Sequence, residues 1–143
     1  MRDHFAVGRK YLINQRLAAA RIHEFEPAQS QRIDAAAQRA RRSPTDVTLI
    51  AVSKTVDAER VRAAAAAGHL AFGENRAQEA LSKIEALSDL PLEWHLIGHL
   101  QSNKAKRAAA AFSWIQSVDS LDLLHRLDRA AGEIGRRPRI LIQ

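Results

Sequence analysis

The 143 residues, 46% hydrophobic and 27% charged, suit one globular domain rather than a disordered or fibrous chain. The absence of cysteine excludes disulfides and thiolate metal sites and fits a reducing cytoplasm, and no apolar run approaches the ~20 residues that cross a bilayer. A net charge of +6 could favour an anionic ligand, but the arginines lie among acidic neighbours on helical segments, which argues against nucleic acid as the partner.

The opening MRDHFAVGRKYLINQ has no apolar core followed by a small-residue cleavage site, unlike a secretory signal. Residues 1–26 form a leader or helix of undefined fold, with irregular apolar spacing and Pro27 interrupting. AQSQRIDAAAQRARR then places Ile33, Ala36, Ala37 and Ala40 on one face of a helix. The basic cluster from Arg39 to Arg42 meets the negative end of that helix's dipole.

From Val47 onward, strand and helix patterns alternate. VTLIAVS is β-branched and apolar without polar alternation, as befits a strand buried on both faces. Asp57 opens an alanine-rich helix that Gly68 closes. LAFG is a second strand, and Asn75 is placed to cap a helix whose stripe is Ala77, Ala80, Leu81, Ile84 and Leu87. EWHLI is the third strand, NKAKRAAAAF a short helix with Ser102 or Asn103 as its cap, and WIQSV the fourth strand. Asp119 or Ser120 caps a helix bearing Leu121, Leu124 and Leu127, and RILIQ after Pro138 is the fifth strand. Such repetition demands a parallel sheet covered by helices. A closed (β/α) barrel needs eight strands and about 250 residues, so the pattern by itself favours an open sheet; either architecture puts its ligand at the carboxyl ends of the strands.

Those ends are polar. They carry Ser53, Lys54 and Thr55, then Gly73, Glu74 and Asn75, then His95 with the loop from Gly98 to Lys104, then Gln116, Ser117 and Asp119. The opposite rim has ordinary turn chemistry. Alternation sets Lys54 on the face of Ile50 and Val52, where it reads either as a solvated strand end or as a partly desolvated amine suited to imine chemistry. GHLQSNKAK lacks the glycine spacing of a phosphate loop. His95 and His99 straddle a glycine with no carboxylate to complete a metal site, and Trp94 and Trp114 read as core residues.

LIAVSKT, AFGENRAQEALSKIEAL and LEWHLIGHLQSNKAK, in this order and spacing, resemble the pyridoxal phosphate homeostasis protein family from about Ile33 to Gln143. The resemblance implies an α/β fold. It is part of a TIM-type barrel like the amino-terminal domain of alanine racemase, with about five parallel strands, amino-terminal helices and residues 27–143 as the incomplete cofactor domain. It also implies that Lys54 forms an aldimine with pyridoxal 5′-phosphate, that Asn75 lies beside the cofactor ring, and that His95, Ile97 and Gly98 line the same pocket. Family members continue through three more strands, and that carboxyl-terminal part supplies the glycine, serine and arginine residues that hold the cofactor phosphate. The implied role is cytoplasmic carriage of the cofactor, with cofactor-dependent apoenzymes as possible recipients and without metal, membrane or catalysis. A racemase-like or Schiff-base enzyme would need a placed acid/base, and the sole tyrosine, Tyr11, lies outside these motifs. A basic, noncatalytic interaction module is the other alternative.

Overall fold

The computed structural model describes the backbone of residues 11–13 and 22–143 and the side chains from Ser30 onward. Its strands are β1 (Tyr11–Ile13), β2 (Leu49–Val52), β3 (Ala71–Glu74), β4 (Glu93–Leu96), β5 (Trp114–Val118) and β6 (Arg139–Ile142). The helices are α1 (Ile22–Arg39), α2 (Ala58–Ala66), α3 (Ala77–Ala86), α4 (Ala105–Ala111) and α5 (Leu121–Glu133).

Every described strand pair is parallel, and the sheet runs in the order β1-β2-β3-β4-β5-β6. This order separates the two architectures that sequence pattern leaves open. A doubly wound sheet reverses direction part-way and covers both faces with helices. Here each crossover advances by one strand in one direction. With the right-handed connection that parallel strands adopt, successive helices then fall on one side. The core bears this out: Val61 and Ala64 of α2, Ala80 of α3, Ala108 and Ala109 of α4 and Leu123 and Leu127 of α5 join one apolar cluster with Phe72, Leu96 and Ile115 from the sheet. The architecture is a singly wound arc, part of a (β/α) barrel.

The sequence signals for helix ends hold where a side chain reaches a free amide. Asp57 caps α2 by accepting from the Arg60 N–H at 2.9 Å, and Ser120 caps α5 by accepting from Leu123 at 3.3 Å. Gly68 follows α2 at φ +99°, the left-handed region that glycine enters without strain.

Several expectations need correction. The sheet has a sixth strand: β1 pairs with β2, Leu12 opposite Ile50. Its three residues are too short to show an alternation. Helix α1 begins at Ile22 and contains Pro27, so it spans the expected boundary at residue 26; residues 1–10 and 14–21 of that leader lie outside the described residues. Of its apolar stripe, Ala37 is buried and Ile33 half-buried, while Ala36 and Ala40 are exposed, so the contact face is narrower than the spacing implies. Arg76, not Asn75, occupies the cap of α3, without a side-chain cap bond. Neither Ser102 nor Asn103 caps α4, because Ser102–Lys104 forms a 3-10 turn whose Lys104 N–H bonds the Gln101 carbonyl.

Candidate functional site

Strand register organises the face turned away from the helix-lined core into levels. Val52 pairs with Gly73, Gly73 with His95, and His95 with Trp114. Two residues further on, Lys54, Asn75 and Ile97 follow the ends of β2, β3 and β4 at the carboxyl rim, where Gln116 of β5 also lies. Three of the expected site residues therefore lie on one rim. Gly98 adjoins it, and His95 lies one level beneath.

The first element of the site is the turn after β2. The Ser53 carbonyl accepts from the Val56 N–H at 3.0 Å, closing a tight turn with Lys54 and Thr55 at its corners. Thr55 has φ +64°, a left-handed conformation that a β-branched residue adopts only under strain, at about 1–3 kcal/mol. Such a turn persists when its surroundings over-determine it. Ser53 is fully buried and each of its polar groups is engaged. Its N–H donates to the Gly73 carbonyl at 2.9 Å, and its Oγ donates to Glu74 Oε1 at 2.7 Å. Its carbonyl accepts a second bond, from Lys83 Nζ at 2.7 Å. Lys83 also reaches Glu74 Oε1 at 2.6 Å. Lys54 itself is half-buried.

The second element is the close approach of the β4 end to the β3 end. A Cβ on Gly98 would lie 2.1 Å from the Asn75 carbonyl oxygen and 2.8 Å from its carbon. Only glycine lets these two backbones touch. From the other side, Ser117 Oγ donates to the Gly98 carbonyl at 2.6 Å. Asn75 and Gly98 thus hold one another in place, with β5 bracing both.

His95 is fully buried. Its ring stacks on Trp114 at 5.8 Å and 12°, its Nδ1 lies 3.1 Å from Gln116 Nε2, and its Nε2 is 3.5 Å from Glu93 Oε2. Trp114 Nε1 donates to the same Glu93 carboxylate at 2.7 Å. The histidine is therefore gripped by side chains beneath the rim on which Lys54, Asn75 and Ile97 lie. Gly73 shares the level of His95, and a Cβ there would come within 3.1 Å of Ile50 and 3.2 Å of Ile97. His99 pairs instead with Asp119 at 3.2 Å, in solvent. The two histidines do not converge, and the described residues contain no group of three potential metal ligands.

The basic charge does not gather around Lys54. Arg62 pairs with Asp89, Arg76 with Glu79 and Arg126 with Asp122. A cavity of about 300 Å³ at the amino rim is lined by Arg136, Arg137 and Arg139. Two of these are engaged, Arg139 over the Trp114 ring at 5.2 Å and Arg136 with the Ala110 carbonyl.

Sequence reasoning missed the pairing of Glu74 with Lys83. Its signal was available: alternation turns Glu74 toward the helices, and a carboxylate on a buried strand face requires a cation. Lys83 lies on the helix that follows.

Residues 17–143 match the alanine racemase N-terminal domain. The chain belongs to that family. It is 54% identical over 103 residues to the pyridoxal phosphate homeostasis protein of Pseudomonas aeruginosa, a match covering 71% of this chain and 45% of that protein. The protein of the same name from Pasteurella multocida is 44% identical over 115 residues, covering 79% of this chain and 49% of its own. PipY of Synechococcus elongatus, solved with and without PLP, superposes at a TM-score of 0.65 with 54% identity, over 78% of this chain and 51% of PipY. The chain spans about half the length of the curated relatives it matches. Among the described residues no helix is long and apolar enough to cross a membrane.

Proposed function

We propose that this chain carries the lysine-bearing half of a pyridoxal 5′-phosphate binding site and serves cofactor homeostasis rather than catalysis. The observation that carries the reading is the position of Lys54: a half-buried amine on a braced turn, on the carboxyl rim that also carries Asn75 and Ile97. PipY, at 54% identity, has been solved with PLP bound, which supports the choice of cofactor.

The donor set fits an aldehyde-bearing aromatic phosphate. A lysine amine adds to the aldehyde carbon, water leaves, and a C=N bond remains as an aldimine, reversible by hydrolysis. Asn75 would supply an amide beside the ring, and Ile97 would supply an apolar flank next to the Gly98 backbone. His95 acts from beneath the rim. The resemblance assigns the phosphate-holding residues to the part of the family barrel that this chain does not span, so the proposal for these residues concerns the lysine side of the site. A carrier needs reversible capture of a reactive aldehyde and no acid/base placed for turnover. Cytoplasmic delivery to cofactor-dependent apoenzymes completes the proposal.

The test is to add pyridoxal 5′-phosphate to the chain, reduce with borohydride and locate the adduct by mass spectrometry. Preferential modification of Lys54, lost in Lys54→Ala, is the expected result. Modification spread evenly over exposed lysines would overturn the site, and turnover of an amino acid would overturn the carrier role.

A further inference from the structure

Glu74 and Lys83 form a buried ion pair on the helix side of the sheet, directly behind the turn that presents Lys54. Glu74 is 2% exposed and the Lys83 side chain 13%. An ion pair in such a place is a poor source of stability, because desolvation opposes the attraction. Its geometry suggests another use. Both members grip Ser53, the residue before Lys54: Glu74 takes the hydroxyl at 2.7 Å and Lys83 gives to the carbonyl at 2.7 Å. The carbonyl's second acceptor position goes to Val56, closing the turn. Lys83 belongs to α3, so the helix holds the backbone beside the amine from its own side of the sheet.

We propose that Glu74 and Lys83 are positioning residues for Lys54, fixing the Ser53 backbone so that the neighbouring amine is presented at one angle and depth. Neither touches the cofactor. The inference rests on the reading of Lys54 as the cofactor lysine, but what it asserts is a property of the amine itself. If the clamp is loosened, the turn with its left-handed Thr55 has a strain to release, and Lys54 samples a wider range of directions.

The test separates positioning from mere structural support. The double variant Glu74→Gln/Lys83→Met removes both charges together, avoiding the stranded charge that a single substitution leaves. Lys54 reactivity is then read twice. One measurement is competitive acylation by acetic anhydride across pH, which involves no cofactor. The other is the rate of the borohydride-trapped pyridoxal phosphate adduct at Lys54. A positioning role predicts a melting midpoint near that of the unaltered chain, at least a tenfold slower adduct, and a displaced pH profile of acylation. Ser53→Ala, which cuts only the hydroxyl link and leaves the ion pair intact, serves as a second variant with an expected slowing of a few fold. If either variant, once shown folded by circular dichroism, retains the unaltered rate and profile at Lys54, the clamp is purely structural and the proposal falls. If the unaltered chain forms no adduct at Lys54 while the acylation profiles still differ, the cofactor reading fails and the clamp stands.

Discussion

The two faces of the sheet are built to different rules. The face toward the helices is a closed apolar layer in which Phe72, Leu96 and Ile115 meet the alanines and leucines of α2 to α5. The other face carries an aliphatic end at Ile50 and Val52 and then a polar and aromatic stretch through Glu93, His95, Trp114 and Gln116. Alternation along each strand makes this division possible, since every second residue answers to a different neighbour. Adjacent residues can therefore carry unlike duties. Phe72 is core, Gly73 is spacing, Glu74 is buried bracing and Asn75 is rim. The lesson is that stability and chemistry here are separated across the sheet rather than along the chain, and the Ser53–Glu74–Lys83 bonds are where the two meet.

Substitutions on the two faces should differ accordingly. Phe72→Ala is expected to cost about 3–5 kcal/mol in a denaturant titration, because it empties a fully buried aromatic position. Gly98→Ala should cost about 3 kcal/mol, since the new methyl meets backbone rather than a yielding side chain. It should also displace Asn75, seen as changed amide shifts at both rim segments. Asp57→Ala removes a helix cap outside both faces and should lower stability by about 1 kcal/mol. Lys54→Ala should leave the midpoint within about 0.5 kcal/mol while abolishing the reducible adduct at that position. A large loss of stability on removing Lys54 would break the division between faces.

Acid titration gives the smallest expected effect. Hydrogen bonding to Arg62 holds the Asp89 carboxyl below its ordinary range, and Arg126 does the same for Asp122. A carboxylate with a depressed folded value contributes stability that is present above its unfolded value, near about 4. That contribution is lost as pH falls through the lower folded value. Both pairs are exposed, so Arg62→Met should lower a denaturant midpoint only slightly near neutrality, and the difference from the unaltered chain should vanish as pH falls through the folded Asp89 value. A difference that persists at low pH, where Asp89 is protonated, would mean that Arg62 acts through its bond to the Ala86 carbonyl.

Much of this arrangement was legible in the sequence, for physical reasons that can be named. VTLIAVS, LAFG and RILIQ read as strands because each is a short run dominated by apolar or β-branched residues between turn signals. Asp57, Gly68 and Ser120 marked helix ends because each does so with its own side chain or backbone freedom. Strand order was not legible, since singly and doubly wound sheets share the same alternation. Nor was β1, whose Tyr-Leu-Ile is shorter than any period can register. Gly98 was singled out by motif, but the reason for glycine there is a contact with Asn75 across two strands, which spacing does not encode. Glu74 was read only as part of the polar rim and Lys83 was passed over, because their pairing shows only once the fold brings them together.

Thr55 draws these threads to a consequence for variation of the chain. A glycine at that position would adopt φ +64° freely, so Thr55→Gly relieves strain in the folded state even as it loosens the unfolded one. A screen that selects for heat tolerance alone would judge the position on that balance of energies. A screen for faithful presentation of the neighbouring amine would judge it on stiffness, and the two would diverge. Residue 55 is thus a place where robustness of the fold and accuracy of the rim are in competition.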